Sequence, residues 1–251
     1  MKVWSLVYKV IESSDIIIEV LDARFIKLSR NEKIESDIKR KEKKLVYAIN
    51  KSDLLDNEFV NNFQHEIRPS FYISSVKKTG ITFMKKKIIG YAAEFKDKKE
   101  IIVGVIGYPN TGKSSVINSL SGRKVAGVSP VSGFTHAIKK IKMAKNIYLL
   151  DTPGVIPYSS QDSVILALFG AVDIAKIDNK DAVVDYIFKN YPGTIESQFG
   201  ISNSSDFDTK IEAIAKKMNF LKSFAEPDTE RALKYIINLW QTGKIKIKTN
   251  N

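Results

Sequence analysis

The sequence predicts an α/β protein with two domains: a doubly wound, mostly parallel sheet over residues 1–160 and a small all-helical C-terminal domain over residues 161–251. Two observations support this prediction. Apolar runs of strand length, each followed by a polar loop, recur in the first part of the chain, whereas from about Gln161 apolar residues recur at helical spacing. Because parallel strands end at one edge of a sheet, the polar loops predict a ligand site there.

Three helices are predicted from apolar faces. The opening helix has apolar residues at i, i+3, i+4 and i+7, namely Trp4, Val7, Tyr8 and Ile11. A second helix over Ile81–Phe95 has one face made of Met84, Ile88, Tyr91, Ala92 and Phe95. The last helix lies between Pro227 and Gly243, with a stripe of Ala232, Tyr235, Ile236, Leu239 and Trp240. Such faces indicate residues of the hydrophobic core.

A phosphate-binding motif follows the apolar strand Ile101–Ile106. The run Gly107–Ser114, GYPNTGKS, matches G-x-x-x-x-G-K-[ST] at every fixed position, and a helical stretch follows it. The Lys113 ammonium is expected to neutralise the β and γ phosphate oxygens, and the Ser114 hydroxyl to bind Mg²⁺. The predicted phosphate-binding residues are Asn110, Thr111, Gly112, Lys113, Ser114 and Ser115. A chance glycine turn is the alternative, and the strand and helix around the run disfavour it.

A base-binding motif lies earlier in the chain, at the end of the apolar strand Leu45–Ile49. Asn50, Lys51, Ser52 and Asp53 form N-K-x-D. The Asp53 carboxylate accepts hydrogen bonds only, so it fits the N1–H and amine of guanine, and Asn50 can donate to guanine O6 or N7. Four polar residues after a strand are usually a solvated turn. Together with the phosphate motif, they predict a guanine nucleotide.

Two further loops follow predicted strands. Ser74, Ser75 and Val76 come after Phe71–Ile73, and the Ser75 amide is expected to contact guanine O6. Taken alone, the serine pair would be an ordinary loop.

The second loop begins the run Asp151–Gly154, DTPG, after Asn146–Leu150. Asp151 is expected to reach Mg²⁺ through water, and the Gly154 amide to contact the γ-phosphate. Between the phosphate motif and this run, Thr135 is the candidate for a second hydroxyl on Mg²⁺ in a switch loop. A threonine in a loop often has no such role.

The order of these motifs resembles the circularly permuted GTPases of the YlqF/RbgA type and their nucleolar Nog-type relatives. Asp15–Arg24, which ends in D-A-R, is similar to the opening strand of that family, and Pro227–Ala232 to the start of its last helix. The resemblance implies a permuted P-loop GTPase domain followed by a helical domain. It also implies GTP hydrolysis during maturation of the large ribosomal subunit, with contact to ribosomal RNA.

The catalytic assignment is Lys113, Thr135 and Asn110. Ras-like enzymes use a glutamine after the DTPG-type glycine to orient water, but this chain has Val155 there, so slow intrinsic hydrolysis is expected. The resemblance implies that K⁺ binds beside Asn110 and stimulates hydrolysis, as a ribosomal partner also does; the alternative is that Asn110 is only a turn residue. Bacterial relatives have an early catalytic histidine, whereas the first histidine here is His65.

A switch is expected after Gly154, because Val155–Tyr158 leads directly into the C-terminal segment. Contacts to the γ-phosphate would order this stretch and reposition the C-terminal domain.

The net charge of +12 and pI near 9.5 indicate an anionic partner such as RNA. Basic residues cluster in Lys27–Lys44, Lys85–Lys87 and Lys244–Lys248, although such runs are often solvated surfaces. The chain has no cysteine, and no signal peptide or membrane-length apolar run is recognised. We therefore expect a cytoplasmic monomer without a membrane or DNA partner.

Two other classes of function compete with a GTPase that assembles ribosomes. One is a GTP-dependent switch with negligible hydrolysis that acts on another RNA or protein. The other is a nucleotide or small-molecule kinase, which the guanine motif and the lack of a recognisable lid disfavour.

Overall fold

The computed structural model describes residues 2–55, 67–122, 139–151, 163–203, 206–245 and 247. The chain divides into two compact units. The first consists of Met1–Asp53 and Phe59–Pro157, and the second of Leu54–Glu58 and Tyr158–Asn251. The second unit thus takes in Leu54–Glu58, which the division at residue 160 assigns to the first domain. That domain boundary stays a prediction.

The first unit contains a sheet of six strands within the described residues, in the order β3-β2-β1-β4-β6-β5. Strand β5 runs antiparallel to β6, and the other pairs are parallel. The strands are β1 (Ile16–Asp22), β2 (Lys44–Asn50), β3 (Ser70–Tyr72), β4 (Ile101–Ile106), β5 (Lys139–Lys142) and β6 (Ile147–Asp151). The predicted doubly wound, mostly parallel sheet is therefore confirmed.

Helices cover both faces of this sheet. Within the described residues they are α1 (Lys2–Ser13), α2 (Ile26–Ser29), α3 (Glu32–Arg40), α4 (Ile81–Ala92) and α5 (Lys113–Ser121). Along β1, Ile16 and Ile18 pack in the same cluster as residues of α4 and α5, while Ile17 packs with residues of α1 and α3. Because strand side chains alternate between faces, a continuously apolar strand such as β1 is suited to a sheet buried on both sides.

The predicted opening helix and the helix from Ile81 are present, the latter ending in a 3₁₀ turn at Ala93–Phe95. Helix α3 was not predicted, because Lys27–Lys44 was interpreted only as a cluster of basic residues. The signal was available nonetheless. The Asn31 side chain caps the helix by accepting a hydrogen bond from the Ile34 amide, and Ile34 and Ile38 are buried one turn apart.

The second unit is helical, as predicted from the apolar spacing. Its helices in the described residues are α6 (Ser163–Leu168), α7 (Lys180–Asn190), α8 (Thr194–Phe199), α9 (Phe207–Lys217) and α10 (Thr229–Gln241). Trp240 of α10 is fully buried, and its ring lies 5.3 Å from that of Tyr191. The predicted stripe of the last helix is thus a core face.

In the part of the chain that the structure describes, no helix is both long and apolar enough to cross a bilayer.

Candidate functional site

The carboxyl ends of the parallel strands bring the predicted motifs to one edge of the first unit. Asp22 at the end of β1 pairs with Asn50 at the end of β2, and Ile49 pairs with Tyr72 at the end of β3. On the other side of β1, Val105 of β4 pairs with Asp151 of β6. The base motif, the Ser74–Val76 loop, the phosphate loop and the backbone of Asp151 therefore share this edge, whatever their order in the chain.

The phosphate loop has the backbone that its glycines require. Gly107 and Gly112 have φ of 145° and 97°, which is costly for residues with a Cβ atom. A Cβ atom on Gly107 would lie 2.5 Å from the Val20 carbonyl oxygen. Helix α5 then begins at Lys113, so its first backbone N–H groups point into the loop, an arrangement that suits anions.

Lys113 spans the phosphate loop. Its Nζ donates a hydrogen bond of 2.7 Å to the Tyr108 carbonyl oxygen, to which Thr111 Oγ1 also donates at 2.9 Å. The lysine is only 6% exposed. Lysine is seldom buried this far, so its ammonium is held at the loop rather than in bulk solvent.

The Asn50 side chain joins two of the loops. Its Nδ2 donates to the Thr111 carbonyl oxygen at 2.9 Å, and its Oδ1 accepts from the Ser75 amide at 3.1 Å. A Cβ atom on Gly112 would lie 2.2 Å from Asn50 Nδ2, so this contact requires glycine there. The sequence predicted that Asn50 and the Ser75 amide would both contact guanine. In the structure they bond to each other, which makes Asn50 the link between base and phosphate motifs.

A buried ionic cluster holds Lys51, and sequence reasoning did not find it. Lys51 Nζ lies 2.7 Å from Asp22 Oδ2, and Arg24 binds both oxygens of the same carboxylate, with Nε at 3.0 Å and Nη2 at 2.9 Å. The Asp22 amide donates to Ser29 Oγ at 3.1 Å, which fixes the strand end. The D-A-R run of the sequence contains both Asp22 and Arg24, but it was interpreted only as part of a family resemblance.

Asp22 and Lys51 each affect the pKa of the other. Burial by itself would raise the pKa of the Asp22 carboxyl, but the charges of Arg24 and Lys51 outweigh it and hold the pKa well below its usual value. Burial lowers the pKa of Lys51, and Asp22 opposes that shift. Lys51 is thus kept in a fixed position beside the predicted guanine site by a carboxylate that stays ionised.

A second buried cluster lies between β1, α3 and the phosphate loop. Glu35 accepts hydrogen bonds from Arg30 Nε and from Tyr47 Oη, both at 2.8 Å. Its neighbour Glu19 accepts from the Asn31 amide at 3.1 Å, and Asn31 Nδ2 donates to the Tyr108 hydroxyl at 3.2 Å. This network ties the helix α3 cap to Tyr108 of the phosphate loop.

Glu19 is a buried carboxyl within an apolar strand. Its Oε2 has no hydrogen-bond partner among the described residues. Burial, followed by repulsion from Glu35, raises the pKa of Glu19 well above its usual value. A glutamate in the middle of the run IIIEVLD was the sequence signal for this group, and it was overlooked.

The remaining residues of the predicted base site lie at the same edge. Asp53 is in the 3₁₀ turn Ser52–Leu54 and is partly exposed. Ser74 is buried, and its Oγ accepts from the Lys77 amide at 2.9 Å, so this serine closes its own turn. Val76 is 81% exposed.

The remaining residues of the predicted phosphate site start helix α5. Ser114 and Ser115 are in its first turn, and Asn110 has φ of 60°. Asparagine adopts this left-handed conformation more readily than most residues, which agrees with the turn interpretation of Asn110.

Several predicted residues lie outside the described parts of the chain. These are Thr135, Gly154, Val155 and the segment that follows to Tyr158, as well as His65, the first histidine of the chain. For Asp151 only the backbone is described. Their assignments stay predictions.

Comparison with known proteins agrees with this geometry. The family described as "50S ribosome-binding GTPase" matches residues 102–219. An uncharacterized GTP-binding protein of Methanocaldococcus jannaschii is 33% identical over 96% of this chain and 65% of its own length. Nucleolar GTP-binding protein 2 of Saccharomyces cerevisiae is 35% identical over 97% of this chain and 52% of its own length. The chain thus spans about half to two thirds of these relatives.

Among solved structures, GNP-bound YlqF from T. maritima has a TM-score of 0.67 at 22% identity, covering 99% of this chain and 98% of that chain. This likeness concerns the fold. The phosphate loop, its parallel sheet and the upstream base motif define a P-loop GTPase domain with permuted motifs. The chain is thus similar in sequence to nucleolar GTP-binding protein 2 and in fold to YlqF, and both likenesses agree with a circularly permuted GTPase domain.

Proposed function

We propose that this chain binds GTP at the described edge of the sheet and hydrolyses it to GDP and phosphate. The observation that supports this most directly is the Asn50 side chain, which bonds to Thr111, 61 positions away, and to the Ser75 loop. Because one side chain joins the base motif to the phosphate motif, both motifs are placed to bind the same guanine nucleotide. The buried Lys113 ammonium supplies positive charge at its phosphate end.

In this proposal, Asp53 recognises the guanine N1–H and amine, and Lys51 lies along the base. Lys113 and the amides at the start of α5 bind the phosphates, with the Gly154 amide at the γ-phosphate. Ser114, Thr135 and Asp151 would hold Mg²⁺, since hydroxyl and carboxylate oxygens are the ligands this ion prefers. Bound there, Mg²⁺ would offset the negative charge of the β and γ phosphate oxygens.

Water attacks the γ-phosphorus, and the bond from that phosphorus to the β–γ bridging oxygen breaks. Val155 cannot orient the water, so slow turnover of the isolated chain is part of the proposal. K⁺ beside Asn110 and contact with a ribosomal partner would raise the rate.

The proposed partner is the large ribosomal subunit and its RNA. Two observations support it: the net charge of +12, and the match of residues 102–219 to a family described as binding the 50S subunit. A GTP-dependent switch with negligible hydrolysis is the second candidate, favoured by Val155 at the position where Ras-like enzymes have glutamine.

The test is GTP turnover in K⁺, with and without purified large ribosomal subunits. Under the proposal, the subunits increase turnover at least tenfold, and Lys113→Ala abolishes it. Tight GTP binding with no turnover under either condition would support the switch instead. Transfer of the γ-phosphate to an acceptor other than water would show a kinase.

A further inference from the structure

The positive charge of this protein belongs to one part of the chain. Positions 1–157 contain 28 Lys or Arg residues and 16 Asp or Glu residues, a net charge of +12, whereas positions 158–251 contain 12 of each. The long C-terminal segment of the second unit is therefore neutral. A polyanion attracted by charge is expected to contact the first unit.

Within the first unit, the two basic stretches differ in how far acidic groups neutralise them. Lys27–Lys44 also contains Glu32, Glu35, Asp37 and Glu42. Four of its eight cations form the ion pairs Arg30–Glu35, Arg40–Asp37, Lys41–Glu12 and Lys44–Glu94. Residues 76–93, by contrast, contain five lysines and no acidic residue.

Helix α4 presents part of this second stretch as one exposed face. Phe83, Lys86, Lys87 and Gly90 follow i, i+3, i+4 and i+7, and all four are exposed. The opposite face, Ile81, Met84, Ile88 and Ala92, is buried against the sheet. We call the exposed residues Phe83, Lys86, Lys87 and Gly90 the α4 stripe.

Apolar side chains are exposed beside these lysines. Val76, Phe83 and Ile89 are 81%, 59% and 41% exposed, and they are three of the five large apolar side chains exposed in the described residues. The Phe83 ring packs edge-on against Phe71 at 5.9 Å, and Lys87 Nζ lies 5.4 Å from its centroid, so the ring is held in place while more than half of the side chain stays exposed. Exposed apolar groups among cations indicate a contact surface more than a solvated one.

Among the described residues, the lysines of this surface have no acidic partner. None of Lys77, Lys78, Lys86 and Lys87 forms an ion pair with any part of the chain that the structure describes, while Lys85 donates to the Leu120 carbonyl oxygen at 2.6 Å. Four ammonium groups are thus available to external anions.

Gly90 points to a close external contact. A glycine within a helix costs stability relative to alanine. A Cβ atom at Gly90 would meet nothing within 4 Å, so packing inside the chain does not require glycine there. A glycine on an exposed face allows another backbone to approach closely, and such an approach would explain glycine at this position.

We propose that the α4 stripe, with the Val76–Lys78 turn before it, binds the backbone of an RNA strand. Unpaired lysines at helical spacing suit successive phosphates, and an exposed aromatic ring offers a surface for a base or sugar. Lysine is depleted in protein–protein interfaces, which disfavours an acidic protein. The inference rests on the proposed ribosomal function, and it names the surface that meets the RNA.

The test compares two variants that lose the same charge. Lys86→Gln with Lys87→Gln removes two lysines of the stripe, and Lys33→Gln with Lys39→Gln removes two exposed lysines of α3 that form no ion pair within the described residues. Binding of the full chain to a fluorescent large-subunit ribosomal RNA transcript is measured by anisotropy across a series of salt concentrations.

The stripe variant should bind about tenfold more weakly at low salt, and the slope of log affinity against log salt should shrink by about 1.5, as two lost phosphate contacts predict. The α3 variant should bind within about twofold of wild type. Both variants should bind fluorescent GDP like wild type. Equal losses in the two variants, or no loss in the stripe variant, would overturn the α4 surface while leaving an RNA partner intact.

Gly90→Ala provides an independent readout. The variant should melt at a higher temperature than wild type, because the helix gains alanine in open space, and yet bind the transcript more weakly. Higher stability with unchanged RNA affinity would contradict close approach at Gly90. Absence of RNA binding by the wild-type chain at low salt would refute the RNA partner itself, and the surface with it.

Discussion

The two units differ in what they bury. Of the fourteen buried polar or charged side chains among the described residues, twelve are in the first unit, and only Thr194 and Glu196 are in the second. Burying such groups is costly unless they are paired, so a stability requirement alone would not concentrate them in one unit. The first unit therefore buries many polar side chains, several of them at the candidate site, whereas the second unit is built mainly from apolar helix faces.

The largest expected effect tests whether the polar edge reads guanine. Asp53→Asn should weaken the binding of GTP and strengthen the binding of xanthosine triphosphate. Xanthine has a carbonyl where guanine has an amine, and an asparagine side chain can donate a hydrogen bond to that carbonyl. We expect the ratio of the two affinities to change by about ten-thousandfold. Competition against fluorescent GDP measures it, with Asp208→Asn in the second unit as the control. An unchanged ratio would mean that the N-K-x-D motif is misread.

The next largest expected effect is a loss of stability caused by a substitution in the second unit. Trp240→Ala removes a fully buried indole and should cost about 3–5 kcal/mol of unfolding free energy. Below the lowered melting temperature, GDP affinity should stay within about twofold of wild type. Chemical denaturation and fluorescent GDP titration measure the two quantities. A large loss of GDP affinity would show that packing in the second unit affects nucleotide binding in the first.

A similar change in the first unit should affect both stability and ligand binding. Asp22→Asn leaves Arg24 and Lys51 without their shared carboxylate and should cost about 3 kcal/mol of stability and about tenfold in GDP affinity. The affinity loss should nearly vanish when Lys51→Met is already present. An undiminished loss in that background would mean that Asp22 acts on the fold and not through Lys51.

The same group gives a pH test. Because ion pairing depresses the folded-state pKa of Asp22 below its usual value of 3.8, its stabilisation is present above that pH and is lost as the pH falls toward the folded pKa. The stability difference between wild type and Asp22→Asn should therefore shrink on acidification below about pH 4.

Potassium dependence should have a smaller effect, about tenfold on turnover. We expect GTP hydrolysis to be faster in K⁺ than in Na⁺, and Asn110→Ala to remove the difference. Phosphate release in matched chloride salts measures both rates. Equal rates for the wild type would leave Asn110 as a turn residue, in agreement with its φ of 60°.

The smallest effect is a gain in stability. The raised pKa of Glu19 means that the folded chain binds more protons than the unfolded chain above about pH 4.5, so stability should fall as pH rises through the folded-state pKa. Glu19→Gln should remove this slope and add about 1 kcal/mol to the free energy of unfolding at neutral pH. The reason is that a neutral amide replaces a buried carboxyl group, one of whose oxygens has no hydrogen-bond partner among the described residues. Thermal melts from pH 5 to pH 8 measure it. A parallel pH slope in the variant would contradict the assignment.

Local sequence patterns were sufficient for most of the fold. The continuous apolar run Ile101–Ile106 is the strand β4, and apolar spacing located α1, α4 and α10. Helix α3 was missed because its buried Ile34 and Ile38 are set among charged residues. Strand β5 was missed because the alternation in Lys139–Lys142 is too short to stand out from a lysine-rich chain.

For the site, the sequence by itself determined two short motifs, from which a guanine nucleotide is predicted as the ligand. Fixed spacing within a short loop is a local property, and the G-x-x-x-x-G-K-S and N-K-x-D runs are both local. Only the tertiary structure decided how these pieces support each other: Asn50 bonded to Thr111 and Ser75, Lys51 to Asp22, and Glu19 buried beside Glu35. The physical reason is that these contacts depend on strand order and register between segments distant in the chain, which no local spacing encodes.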